Sequence, residues 1–64
     1  MIRISVVITK PVQVDVRSDN DGEATKLASS VLTEKYPGQS VDVISFETLD
    51  DDESIPAGAA RLVE

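Results

Sequence analysis

The chain has 64 residues, with 12 acidic against 6 basic side chains, and contains neither cysteine nor histidine; it lies near the lower size limit at which one hydrophobic core outweighs the chain entropy lost on folding. Disulfides, thiolate or imidazole zinc sets, and Ser-His-Asp or Cys-His nucleophiles are therefore excluded. The composition points to a single non-enzymatic domain with no cofactor and no metal, and the absence of any membrane-length or leader-like apolar run predicts a soluble protein of the cytoplasm, or of the host cytoplasm if phage-encoded, with no membrane partner.

Met1 to Thr9 alternates, with Ile2, Ile4, Val6 and Ile8 on one side and Arg3, Ser5, Val7 and Thr9 on the other, the period of a half-buried strand. Val12, Val14 and Val16 continue that pattern after Lys10-Pro11, a proline that marks a turn or the start of an edge strand. A β-hairpin is the simplest reading. Ser18 to Gly22 breaks the alternation, and Asn20 followed by Glu23 predicts a capping box and a helix beginning at about Asp21. Ala24, Leu27, Ala28, Val31, Leu32 and Tyr36 then fall on one helical stripe, narrow and partly alanine, which suits close packing on a sheet. Pro37-Gly38 ends it.

Val41 to Thr48 reads as a third strand whose apolar residues change phase: Val41 and Val43 point one way, Ile44 and Phe46 the other. A β-bulge is one resolution, and cover of the second pair by the tail or by a partner molecule is the other. The reading favoured here buries Ile44 and Phe46, because the other phase places Glu47 on the buried side, at a cost for an unpaired carboxylate. The expected fold is thus α+β, a β-β-α-β core over residues 1–49 with a three-stranded antiparallel sheet ordered 2-1-3 and one helix on one face. Residues 50–64 form an acidic loop and tail, in which Ala59 to Val63 is a short strand or helical turn docked on the uncovered apolar pair, or is disordered.

Charge is unevenly divided along the chain. Residues 1–39 balance five basic against five acidic side chains; from Ser40 onward only Arg61 opposes Asp42, Glu47, Asp50, Asp51, Asp52, Glu53 and Glu64. Direct nucleic-acid binding is disfavoured, since it needs Lys and Arg clusters and none exists. A basic protein surface is the natural counterpart. Asp42, Glu47, Asp50, Asp51, Asp52 and Glu53 are the predicted protein-binding strip, the first two held by the third strand and the rest in the acidic run that follows.

No other segment carries chemistry. Setting Gly22 at the glycine of a calcium loop places Arg17 at its first ligand position and Ala28 at its last, so Asp19 to Gly22 reads as a turn and helix cap. Consecutive carboxylates such as Asp50 to Glu53 do not form a coordination shell on an extended chain. Gly22, Gly38 and Gly58 stand alone, without the companions of a phosphate loop. Tyr36 and Phe46 are assigned to packing, because base-stacking aromatics also need a basic groove.

Val12-x-Val14-x-Val16, a polar turn, and Asn20-Asp21-Gly22-Glu23-Ala24 opening an alanine-rich helix resemble the β-β-α start of short phage and mobile-element proteins, including some small anti-CRISPR proteins. The likeness covers about half of the chain and transfers no residue role. It implies a protein that occupies a partner's surface, as DNA-mimicking inhibitors do. The expected function is accordingly a non-catalytic inhibitor or regulator that blocks a basic, nucleic-acid-binding surface through the acidic strip. The alternative is a structural module that forms a homodimer or larger assembly through an edge strand or through Val7 and Val43 on an open sheet face.

Overall fold

Alternating Ile2, Ile4 and Val6 build β1 (Ile2–Val7), and Val12, Val14 and Val16 build β2 (Pro11–Val16); all six valines and isoleucines are buried on one face. A computed structural model describes residues 1–63; Glu64, counted above in the acidic tail, lies outside the described residues. The two strands pair antiparallel with Ile4 opposite Val14 and Arg3 opposite Asp15. Pro11 opens β2 opposite Val7, two residues before the stretch that β4 pairs with, a strand start being a position where a proline is tolerated.

Helix α1 spans Asp21–Lys35 and starts where the capping pattern places it: the Glu23 backbone N–H donates to Asn20 Oδ1 at 2.9 Å. The expected box is only half formed, because the Asn20 N–H donates to Ser18 Oγ at 3.2 Å rather than to the Glu23 side chain. Ala24, Ala28 and Leu32 are buried against the sheet, with Leu27 and Tyr36 packed beside them. The Lys10 ammonium sits 5.7 Å from the centre of the Tyr36 ring, within cation–π range. Gly38 takes a positive φ of 80° in the turn after the helix, a conformation that favours glycine.

The sheet has four antiparallel strands in the order β3-β1-β2-β4, with β3 at Asp42–Thr48 and β4 at Ala60–Val63. This corrects the expected three-stranded sheet and its order. β1 does lie between β2 and β3, but the tail supplies a fourth strand on the far side of β2. Ala60 and Leu62 of β4 pair with Val16 and Val14 and pack on the core, while Arg61 points to the other face opposite Asp15. The tail therefore docks at the edge opposite β3 and leaves the third strand's apolar residues uncovered.

Strand β3 accounts for the second correction. Its register to β1 slips between Ser5 and Val6: Ser5 faces Ser45, yet Val6 faces Val43, which leaves Ile44 as the extra residue of a bulge. The bulge reconciles the two phases by bringing both Phe46, opposite Ile4, and Val43, opposite Val6, to the core side. Even so, neither pair is buried. Val43 is 40%, Ile44 64% and Phe46 46% exposed. The favoured burial of Ile44 and Phe46 does not occur, and Val43 is not on the face it was expected to share with Val7. Width explains the exposure: four strands at about 4.8 Å spacing make a sheet wider than one helix of about 10 Å, and α1 packs over β1, β2 and β4.

Candidate functional site

On the face away from the helix, one cross-strand row carries alternating charge. Glu47 of β3 lies opposite Arg3 of β1, Arg3 opposite Asp15 of β2, and Asp15 opposite Arg61 of β4. Arg3 donates twice to Asp15, Nε to Oδ1 at 2.7 Å and Nη2 to Oδ2 at 3.1 Å, and Arg61 Nη2 stands 4.0 Å from Asp15 Oδ2. That hydrogen bonding and charge attraction raise the Arg3 pKa, with the more distant Glu47 carboxylate adding to them. The Asp15 side chain is 1% exposed, and no buried side-chain N or O among the described residues lacks a hydrogen bond. Toward the β3 end the row closes on Glu47, which is exposed.

Residues 49–59 fold back toward this row and fix two of the predicted acids. The Met1 ammonium donates to Asp51 Oδ1 at 2.7 Å and to the Leu49 carbonyl at 3.1 Å, and the Leu49 N–H returns a bond to the Met1 carbonyl at 2.8 Å. Asp52 Oδ1 accepts from the Ser54 N–H and hydroxyl at 2.9 and 2.7 Å, and Asp52 Oδ2 accepts from Arg61 at 3.2 Å. The ammonium lowers the Asp51 pKa, first by its hydrogen bond and then by its charge; the Ser54 donors, then Arg61, lower that of Asp52. Arg17 donates to the Ile55 carbonyl at 2.9 Å, and Ile55 is buried outside the main core cluster.

The six predicted acids consequently divide. Asp51 and Asp52 are engaged within the fold. Glu47 faces Arg3, while Asp42, Asp50 and Glu53 make no ion pair among the described residues. Asp42 and Glu47 flank the apolar residues Val43, Ile44 and Phe46 on one strand whose seven residues are all exposed. Ile44 and Phe46 were assigned to the interior by sequence reasoning, and their own change of phase was the signal that two faces could not both be covered.

Elsewhere, an open groove of about 370 Å³ runs between α1 and β4, lined by Val31, Glu34, Lys35 and Leu62. No group of three or more Asp or Glu side chains among the described residues is arranged to hold a metal ion. No helix among them is long and apolar enough to cross a membrane. No family model matches the chain, and no curated protein or solved structure is found to be similar to it.

Proposed function

We propose that this chain is a non-catalytic protein-binding module that seats a basic partner surface on β3. A single observation carries the reading: β3 is an edge strand exposed along its whole length, with Val43, Ile44 and Phe46 set between the carboxylates of Asp42 and Glu47. Exposed apolar side chains on an unpaired edge are a liability that proteins usually cover or blunt. Val43 and Phe46 stand on the helix side of this edge and Asp42 and Glu47 on the other side, so an occupant of the edge meets apolar groups on one face and carboxylates on the other. Asp50 and Glu53, just past the strand, add to the negative charge.

Inhibition or regulation of a nucleic-acid-binding protein fits this surface, since such partners display the Lys and Arg clusters that an acidic edge attracts. The phage or mobile-element setting rests on the β-β-α resemblance. Self-association through the same edge is the competing use. Charge opposes it, because each copy has a net charge of −6 and the carboxylates of both would be drawn together.

A photo-crosslinking side chain at position 44 identifies the partner in the native host, and its affinity for purified wild type is then compared with two variants at low and high salt. Phe46→Ser weakens binding at every salt concentration. Asp42→Asn with Glu47→Gln, Asp50→Asn and Glu53→Gln flattens the salt dependence. Unchanged binding by both variants overturns the reading.

A further inference from the structure

We infer that β3 recognises its partner by strand addition, taking an extended segment in which apolar residues alternate with Lys or Arg. This inference rests on the reading of β3 as the binding surface and names the chemistry of the occupant. The starting point is pairing. β3 hydrogen-bonds to β1 on one side and to no other strand among the described residues, so alternate N–H and C=O groups along its outer edge are available to an incoming backbone.

The register identifies the usable part of that edge. From Ser45 to Thr48 the pairing to β1 is regular, whereas Ile44 is the extra residue of the bulge, and bulges interrupt a ladder. An added strand thus has Ser45–Thr48 as its template. Its side chains on the helix side would lie beside Phe46, an apolar group already 46% exposed. Its side chains on the opposite face would lie beside Glu47.

Charge complementarity selects the residue at that second position. Across the sheet the row reads Glu47, Arg3, Asp15, Arg61, negative and positive in strict alternation, and the end facing the open edge is negative. Continuing the alternation places Lys or Arg on the added strand, where an opposite-charge cross-strand pair is favourable and a like-charge pair unfavourable. Asp42 repeats the preference on the far side of the bulge. The same groups discourage pairing with the β3 of a second copy, which would present its own Asp42 and Glu47.

The test is an amide-resolved NMR titration of the intact chain with three synthetic probes: a short peptide alternating valine and lysine, the same peptide with glutamate for lysine, and the lysine peptide N-methylated at alternate backbone amides. The lysine peptide is expected to shift amides of β3 and bind at least about fivefold more tightly than the glutamate peptide, the scale of a few exposed cross-strand charge pairs. N-methylation abolishes that binding, and Glu47→Lys inverts the preference between the two charged peptides. Equal affinity for the lysine and glutamate peptides, or binding indifferent to N-methylation, overturns strand addition to a basic segment; if β3 still shifts, β3 survives as the binding surface. Failure of all three probes to shift β3 also overturns the inference, and the crosslinked partner's sensitivity to Phe46→Ser then separately decides the broader reading. A concentration-dependent dimer with β3 protected in the absence of peptide overturns both.

Discussion

Arg3 and Asp15 form a two-point ion pair across β1 and β2 in which the aspartate side chain is buried and the arginine side chain is one-third exposed, at 31%. Burial of one partner alone makes the pair asymmetric. Truncating Arg3 leaves a dehydrated carboxylate, whereas truncating Asp15 leaves an arginine that can turn to water. Asp15→Ala is expected to cost about 2 kcal/mol in urea unfolding. Arg3→Met costs more than Arg61→Met, since Arg61 lies 4.0 Å from Asp15 and is 49% exposed. Equal losses for the two arginine variants would show that the closer pair is not the one that holds Asp15.

Acid sensitivity follows from Asp51 and Asp52, whose pKa values are both lowered in the fold by the Met1 ammonium and by Ser54 with Arg61. A carboxylate depressed in the native state releases its proton more readily there than in the unfolded chain. Its contribution is present above the unfolded value of about 4 and is lost as pH falls through the lower folded value. Stability is therefore expected to be flat near neutrality and to drop below about pH 4. Asp51→Asn with Asp52→Asn lowers stability at neutral pH and shallows the acid limb, as read by denaturant midpoints across pH. An unaltered acid limb would locate the sensitive groups elsewhere.

Helix capping supplies a third prediction. The Glu23 N–H has Asn20 Oδ1 as its acceptor, and Asn20→Ala removes it at about 1 kcal/mol. Asn20→Asp keeps an acceptor and adds negative charge at the helix N-terminus, where the dipole favours it. It should match or exceed wild type in thermal midpoint. A loss as large as that of the alanine variant would mean the side-chain acceptor is not what stabilises this end.

Much of the fold is legible in the residues because local pattern and burial agree there. Ile2, Ile4, Val6, Val12, Val14 and Val16 alternate and are all buried; Asn20 caps where its spacing to Glu23 places it; Ala24, Ala28 and Leu32 form the buried stripe. β4 was harder to read because only Ala60, Arg61, Leu62 and Val63 display its period, and four residues do not distinguish a strand from a helical turn. The exposure of β3 follows from a tertiary fact, namely which strands a single helix covers; the change of phase within Val41 to Thr48 signals that its two apolar pairs cannot both be buried by a regular strand, but not that neither is. Of the predicted acidic strip, Asp42 and Glu47 do lie on the strand, but contacts distant in sequence, Met1 with Asp51 and Arg61 with Asp52, engage two of the other four.

Comparison of Leu32 with Phe46 separates residues that hold the fold from those that serve its surface. Leu32 is fully buried in the core, and Leu32→Ala is expected to destabilise by about 2–4 kcal/mol through lost burial and the cavity left behind. For a domain of this size, whose total stability is of similar order, that loss should populate the unfolded state measurably at room temperature. Phe46 is nearly half exposed and lies beside the region α1 covers, so Phe46→Ser should cost well under half as much and leave the amide spectrum of β1 and β2 in place. The same change lowers partner affinity if β3 is the binding surface. A Phe46→Ser chain that unfolds as readily as Leu32→Ala would make Phe46 a core residue and remove it from the interface.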